Sequence, residues 1–269
     1  MSQPVQFESL QPQIPRRRPR GRGLGVVIAL IVLLVIASLI ADGIVRSQAA
    51  KQIEQQVRAA ASLSPSTPVD VTIGGLSVLL QLASGKLNDV EISVNNLEVG
   101  SLRGNAKIAA TGVPITSTQA IGTARLDFAM DQKQLAPLLE GYAKAAGVNI
   151  SSVTISKGAV QAGTKFSILG VTLPVAVSLV PSTFGGQLAL TPQTVTVGGR
   201  TLTADQVRSQ FGSIADAVLK TQQICVASYL PKVLTLDSIV VTGSTVHLTV
   251  SGKNLTLNDS LLTSKGVCP

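Results

Sequence analysis

The amino-acid sequence predicts an α+β fold in which an N-terminal transmembrane helix is followed by long antiparallel strands and one to three amphipathic helices. Three observations predict it. The segment Leu24–Ala41 is apolar and carries no charged residue. After Pro68, apolar and polar residues alternate over long stretches, which is typical of strands with one buried face. Two later segments, 131–147 and 203–220, show the helical spacing of apolar residues instead.

The apolar segment is long enough to cross a bilayer. As an α-helix it would measure about 27 Å, close to the roughly 30 Å hydrocarbon core of a membrane. An arginine cluster stands immediately before it, formed by Arg16, Arg17, Arg18, Arg20 and Arg22. Because cytoplasmic flanks carry the excess of Arg and Lys, we expect the chain after Asp42 to lie outside the cytoplasm.

This segment divides the chain into four predicted regions. They are a disordered, Arg-rich cytoplasmic tail (1–23), the transmembrane helix (24–41), a helical stalk (42–64) and an extracytoplasmic domain (65–269). The protein is therefore predicted to be a single-pass plasma-membrane protein whose domain faces the periplasm or cell envelope. A cleaved secretory signal is the alternative, although the apolar core of such a signal is usually shorter.

Charge and aromatic content argue against nucleic-acid binding. The formal charge is +8, but half of it belongs to the arginine cluster and its surroundings, which are suited to anionic lipid headgroups. With 3% aromatic residues and no Trp, few rings are available on which bases could stack.

The strand pattern contains one interruption and one unusually long element. Apolar residues alternate from Val90 to Val94 and resume on the opposite parity at Leu97, so we expect a β-bulge at Asn95–Asn96. A strand over 118–130 would be about 43 Å long, twice the usual length.

Both helical segments carry N-terminal capping residues. Asp131 is placed to cap the first one, but Pro137 requires that this helix begin close to the proline or kink there. Thr203 and Gln206 form a predicted capping box for the second, which we expect to be one continuous helix.

No catalytic signature is present in the sequence. The single histidine, His247, lies on the parity opposite to Val246 and Leu248, which predicts that it faces solvent. The 14 acidic residues are scattered, and G-x-S-x-G, P-loop, H-E-x-x-H and C-x-x-C motifs do not occur. We therefore predict no enzyme activity, no catalytic residue, no metal and no cofactor; a hydrolase or transferase site assembled from distant residues is the alternative.

The two cysteines, Cys225 and Cys268, both lie in the predicted exported region. An even number of cysteines in an oxidising compartment predicts one disulfide. Two free thiols serving as small hydrophobic residues are the alternative.

One segment resembles a known family. GGLSVLLQLASGKLNDVEISVNNLEVG, from Gly74 to Gly100, resembles the start of the domain in the actinobacterial LmeA-like phospholipid-binding family, with an apolar helix, a strand of alternating Val and a polar hairpin. Leu230–Pro231, followed by alternating Leu and Val with Gly243 in the hairpin, is similar to that family's C-terminal end. The resemblance covers about residues 45–260.

The resemblance implies a fold similar to that of tubular lipid-binding (BPI-like) proteins, with long curved strands wrapped around a helix and an apolar groove between them. It also implies a membrane-anchored envelope protein that binds phospholipid, or the lipid part of a glycolipid. Such a protein would support envelope (lipo)polysaccharide assembly, such as mannan elongation, with the membrane and envelope glycosyltransferases as partners.

Inward positions of the strands and helices predict where acyl chains would lie. Small residues such as Ala106, Ala110 and Ala124 either leave room for a lipid or let a helix pack closely on the sheet. The predicted apolar lining is Leu79, Ile92, Ile108, Leu126, Phe128, Leu139, Val175, Val177 and Phe211. The rival interpretation is a ligand-free β-rich envelope scaffold, which would have a filled core.

Overall fold

The computed structural model describes residues 21–99, 102–116, 119–145, 149–168, 171–256 and 264–268. The chain divides after Ile44 into two compact units. Five α-helices occur among the described residues: α1 (Gly21–Ala60), α2 (Val78–Ala83), α3 (Gln132–Ala145), α4 (Ala204–Phe211) and α5 (Ser213–Leu219). A short 3₁₀ helix, Ala227–Tyr229, follows them. The α+β prediction is confirmed.

The first unit contains the N-terminal part of α1. Apolar side chains from Ile31 to Ile40 are exposed. In the described part of the chain, one helix is long and apolar enough to cross a membrane, and a signal sequence near the N-terminus has the same properties. The predicted tail, up to residue 20, lies outside the described residues.

The second unit begins with the rest of α1, which ends at Ala60. Ser62 adopts a left-handed conformation (φ 50°), and the Leu63 amide donates a 2.9 Å hydrogen bond to the Arg58 carbonyl. This bond is the one that closes a Schellman motif, so the helix is terminated by its own backbone.

Two antiparallel sheets form the body of this unit. The first has the strand order β1-β2-β3-β4-β12-β11 and the second β10-β8-β7-β6-β5, with β9 paired to β8. The strands of the first sheet are β1 (Val69–Ile73), β2 (Lys86–Val99), β3 (Leu102–Pro114), β4 (Ile121–Asp131), β11 (Thr235–Thr242) and β12 (Thr245–Leu255). The strands of the second are β5 (Ser152–Ser156), β6 (Ala159–Ile168), β7 (Val171–Phe184), β8 (Gln187–Val197), β9 (Arg200–Thr203) and β10 (Gln222–Ile224).

The predicted interruption of the strand pattern is confirmed. Pairing of β2 with β3 shifts register between Val94 and Leu97, and Asn96 has a positive φ of 55°. The extra residue restores the inward direction of the apolar side chains after the shift in parity. The long strands are also confirmed, since β2 and β7 each contain 14 residues.

A filled core covers the inner face of the first sheet. Ile73, Val78 and Val250 are the largest fully buried side chains. Partly buried residues of α1, including Val45, Ile53 and others between 45 and 57, pack against this core. The part of α1 that follows Ile44 is therefore packed as part of the second unit.

The capping prediction for α3 is confirmed, and the helix begins directly after Asp131 rather than close to Pro137. The Gln134 amide donates to the Asp131 carboxylate and the Asp131 amide donates to the Gln134 side chain, both at 2.9 Å. These bonds fix a first turn at Gln132, ahead of Pro137. Pro137 therefore lies inside the helix, where it removes one helical hydrogen bond and its ring crowds the carbonyl of Lys133.

The second amphipathic segment is two helices, not the single helix predicted over 203–220. Thr203 and Gln206 form the predicted capping box at the start of α4. Gly212, with φ 54° and ψ −134°, then separates α4 from α5. Glycine adopts this conformation at low cost, which is why the chain breaks there despite continuous apolar spacing.

Cys225 and Cys268 form a disulfide with 5.8 Å between their Cα atoms, as predicted. Cys225 follows β10 directly, so the bond fastens the end of the chain to the edge of the second sheet.

Candidate functional site

An apolar cavity of about 770 Å³ lies within the second unit, between α3 and strands of both sheets. The sheets meet where β11 packs beside β7, and the Thr183 hydroxyl donates a 3.2 Å hydrogen bond to the Asp237 carbonyl there. The described residues that line the cavity are Met130, Leu135, Pro137, Leu138, Leu139, Gly141, Ala143, Ile150, Val160, Ala162, Leu179, Pro181, Leu188, Leu190, Ile224, Val226, Ile239, Val246 and Leu248.

The alternation of the strands places these side chains. Met130 pairs with Val246, so neighbouring strands of the first sheet present adjacent apolar residues. In the second sheet Val160 pairs with Leu179, and Pro181 pairs with Leu190. Because side chains of directly paired residues lie on the same face of a sheet, both pairs contribute to one continuous apolar wall.

Helices α4 and α5 explain why this wall is open at one end and covered at the other. Residues 175, 177, 179 and 181 of β7 share one face, since side chains alternate along a strand. Val175 and Val177 pack against the small cluster that contains Val207 and Leu219 of the two helices. Leu179 and Pro181, beyond the reach of these helices, line the cavity.

The chemistry of the lining selects an apolar ligand. No charged or hydrogen-bonding side chain is found among the described lining residues. A polar ligand group enclosed there would lose its water without gaining a partner, at a cost of roughly 1 to 3 kcal/mol. The volume lies within the range of about 300 to 1,000 Å³ that is typical of ligand pockets.

A polar cleft of about 530 Å³ adjoins the cavity. The cleft and the cavity share Pro137 and Leu138 of α3 as lining residues. Arg103 and Lys133 bring positive charge to the cleft, and Arg103 is paired with Glu98 at 3.5 Å. A ligand with an apolar body and an anionic end would therefore find both environments along one side of α3.

The nine residues predicted to line a lipid groove are dispersed over the second unit. Leu139 lines the cavity. The other eight are described residues that lie elsewhere: Ile92 and Phe128 in the filled core, Ile108 and Leu126 packed against it, Val175 and Val177 beneath α4 and α5, and Leu79 and Phe211 exposed. Contact of these eight with a lipid stays a prediction.

Several cavity residues were missed because alternation does not say which part of an inward face a helix covers. Leu188 and Leu190 belong to a predicted strand segment, and their alternation was visible. A register shift in the pairing of β7 with β8, between Ser178 and Leu179, changes which parity of β8 faces inward. The sequence does carry a signal for that shift, because the apolar positions change from even (Leu188 and Leu190) to odd (Val195 and Val197).

The outer face of the first sheet carries a small polar network. The Arg125 guanidinium donates two 3.1 Å hydrogen bonds to the Asp127 carboxylate, and the Thr249 hydroxyl donates another at 2.6 Å. The bonds from Arg125, followed by the bond from Thr249, hold the pKa of Asp127 below its ordinary value, although partial burial acts in the opposite direction. This network supports the sheet and is not part of the cavity.

Metal-ligating side chains do not cluster within the described ranges, where no group of three His, Cys, Asp or Glu residues is placed to hold an ion. An apolar cavity bordered by strands and a helix suits an apolar ligand, and such a site is typical of proteins that bind lipid-like molecules.

The family comparison agrees with this class. The family model described as LmeA-like phospholipid-binding matches residues 37–251. The chain therefore belongs to the LmeA-like phospholipid-binding family, and the resemblance seen in the sequence is confirmed. Comparison with curated proteins and with solved structures gives no match.

Proposed function

We propose that this chain is a membrane-anchored protein of the cell envelope that holds a phospholipid, or the lipid part of a glycolipid, in the cavity between its two sheets. The observation that carries the proposal is the apolar lining of that cavity, which matches an acyl chain. Family membership supports the same ligand class. The role is binding rather than catalysis, because the site offers apolar contact and no reactive group among its described residues.

Burial of an acyl chain would supply ample free energy. Each methylene removed from water contributes about 0.8 kcal/mol, so ten buried methylenes contribute on the order of 8 kcal/mol. The lining is largely provided by packed strands, so little conformational entropy is lost when the ligand enters.

The headgroup lies in the polar cleft in this proposal. The cleft begins where the cavity ends, at Pro137 and Leu138. Lys133 is exposed and is absent from the ion pairs found in the described part of the chain. Its ammonium group is free to approach a phosphate, which favours an anionic phospholipid or a phosphorylated glycolipid.

A supporting role in envelope polysaccharide assembly, such as mannan elongation, follows from the resemblance to the family. A protein that carries lipid in the envelope can supply lipid-linked intermediates to membrane glycosyltransferases, which are the proposed partners. Deletion of the chain should shorten such polymers, and the cavity variants described next should fail to restore their length.

Native mass spectrometry of the unit from Val45 to Pro269 tests the binding site. This unit contains every described strand and the described core. We expect the wild type to retain phospholipid and Leu190→Glu to lose it, because a carboxylate in the wall would be desolvated by a bound acyl chain. Val240→Glu is the matched control, since Val240 is exposed on β11 and outside the cavity.

Loss of lipid from both variants would show that any added charge perturbs retention, and lipid retained by folded Leu190→Glu would place the ligand elsewhere. A wild-type unit that carries no lipid would favour the scaffold interpretation. Circular dichroism of each variant establishes that the fold is intact.

The membrane anchor has a separate test. Single cysteines placed at Leu10 and at an exposed position such as Ser244 differ in their predicted compartment. An impermeant thiol reagent should label only the second in intact cells. Labelling of position 10 would reverse the proposed orientation.

A further inference from the structure

A second apolar surface lies at one end of the first sheet, away from the cavity. Leu76 is 100% exposed and Leu80 is 73% exposed, at the start of α2. Leu79 (39%) and Ile115 (53%) are exposed beside them, and the Ile115 amide donates a 3.1 Å hydrogen bond to the Gly85 carbonyl just after α2. We call these four residues the apolar tip.

The apolar tip is held by an ordered scaffold. Gln81 is only 5% exposed, and its amide nitrogen donates to the Gly74 carbonyl at 2.9 Å while its amide oxygen accepts from the Asn88 backbone at 2.7 Å. The Ser77 hydroxyl caps α2 by accepting from the Leu80 amide at 3.3 Å. The fold therefore holds these leucines in exposed positions, where they bury little apolar area in the isolated domain.

The chain connection limits the distance between the base of the apolar tip and the end of the membrane segment. The Arg46 guanidinium donates hydrogen bonds to the backbone carbonyls of Ile73 and Gly75, the latter at 3.0 Å. Arg46 follows Ala41, the last residue of the apolar segment, by five positions. Five residues span at most about 18 Å even when fully extended, so Arg46 lies within about 18 Å of Ala41 in any arrangement of the two units.

We propose that the apolar tip inserts its leucines into the surface of the bilayer that holds the anchor. The partner is a phospholipid bilayer, because exposed leucines that are this close to a membrane segment would bury their side chains at the acyl-chain boundary. Lys86, exposed at the base of the tip and paired with Pro114 in the sheet, is placed to meet anionic headgroups. This inference rests on the proposed anchor but not on the lipid cavity.

The strand register separates the apolar tip from the cavity. The tip lies where β2 starts and β3 ends, at the end of the sheet that includes Thr123 of β4. The cavity lies beside Met130, at the other end of β4. Seven residues of strand correspond to about 24 Å, so the apolar tip is separate from the cavity. In this proposal the tip contacts the bilayer and does not line the lipid site.

Quenching by brominated lipids tests the proposal on the full chain. Both native cysteines are in the disulfide, so a single added cysteine can be labelled with an environment-sensitive dye without reductant. The labelled variants are Leu80→Cys in the tip, Ser38→Cys in the apolar segment and Ser244→Cys in the hairpin at the other end of the sheet. Each is reconstituted into phosphatidylcholine and phosphatidylglycerol vesicles with brominated acyl chains.

We expect quenching at positions 80 and 38 and none at 244. Quenching at 38 without quenching at 80 would refute membrane docking of the tip and support the anchor. The exposed leucines would then be assigned to contact with a protein partner. Quenching at neither position would overturn the anchor and the docking together. Quenching at 80 alone would refute the anchor and, with it, the proposal that the tip docks on the bilayer that holds the anchor.

A second variant shows whether the leucines themselves make the contact. A dye at Ile115→Cys should lose its quenching when Leu76→Ser and Leu80→Ser are added, whereas the retained lipid should stay at the wild-type amount. Because both leucines are exposed, these substitutions should leave the fold intact. Unchanged quenching at position 115 would overturn the role assigned to the leucines.

Discussion

The two sheets use their inner faces differently. In the first sheet, residues of α1 such as Val45, Ile53 and Val57 pack over the inward side chains and complete a filled core. In the second, Val153 and Ile155 of β5 join that core, and α4 and α5 cover the end near Val195. The uncovered part, which includes Leu179 and Leu190, lines the cavity together with the adjoining end of the first sheet. The ligand site is thus located by where the covering helices stop.

The largest expected effect is a difference in the free energy of unfolding between a variant in the filled core and a variant at the cavity. Phe128→Ala should lower the free energy of unfolding by about 3 to 5 kcal/mol, because it leaves a void in a packed core. Leu190→Ala should cost about 2 kcal/mol, the lower end of the range for this substitution, since its side chain borders the cavity and is only half-buried. Urea unfolding of both variants measures the difference.

Equal losses in the two variants would contradict the distinction between a filled and an open face. Lipid retention gives the complementary comparison. Leu190→Ala should weaken retention, and Phe128→Ala should leave it unchanged at temperatures where the variant is folded.

The disulfide should stabilise the open sheet more than the filled one. It closes a loop with a sequence separation of 43 residues, which corresponds to at most about 4 kcal/mol when only chain entropy is counted. Ile224 and Val226, on either side of Cys225, line the cavity. Replacement of both cysteines by serine should lower Tm and increase amide hydrogen exchange in β8 and β10. Exchange that rises equally in β2 and β3 would refute a local role.

A smaller effect is expected in the polar cleft. Lys133→Gln should reduce the preference for anionic over zwitterionic phospholipid about fivefold, since one lysine near a lipid phosphate contributes about 1 kcal/mol. Competition between two labelled lipids, measured by native mass spectrometry, gives this ratio. Lys165→Gln is the matched control, because Lys165 is an exposed residue of β6, and it should keep the wild-type preference. The same change in both variants would mean that the net charge, not the cleft, selects the lipid.

The smallest expected effect concerns pH and the outer face of the first sheet. The hydrogen bonds from Arg125 lower the pKa of Asp127 in the folded state, so its ionised form is favoured by folding. The stabilisation is complete above the unfolded pKa of about 4 and is lost as pH falls through the lower folded pKa. Asp127→Asn should lower Tm by about 1 to 3 °C at neutral pH and should weaken its fall in acid. An identical pH dependence of Tm in the variant and the wild type would contradict this assignment.

Local signals in the sequence were sufficient for most of the fold. Alternation predicted the long strands, the change of parity at Asn95–Asn96 predicted the bulge, and Asp131 predicted the start of α3. Each of these depends on a few neighbouring residues, whose backbone preferences act wherever the segment lies. The break at Gly212 could have been read from the glycine alone, but the apolar spacing across it outweighed that signal.

The candidate site was predicted less completely because it depends on long-range packing. The prediction identified inward residues such as Val177 and Leu126, but did not establish which of them a helix would cover. Only Leu139, on the helix that borders both sheets, was placed in the lining in advance. The position of α4 and α5 over the second sheet is a tertiary property, and no local pattern encodes it.

Photoaffinity mapping of the acyl chain tests the central claim most directly. A phospholipid with a photoreactive group at the end of one acyl chain would be loaded, irradiated and located by peptide mass spectrometry. We predict cross-links to α3, to Leu188 or Leu190 of β8, and to Ile224 of β10. Cross-links that cluster instead around Leu126 and Val175, or that are spread evenly over the surface, would contradict a lipid site between the two sheets.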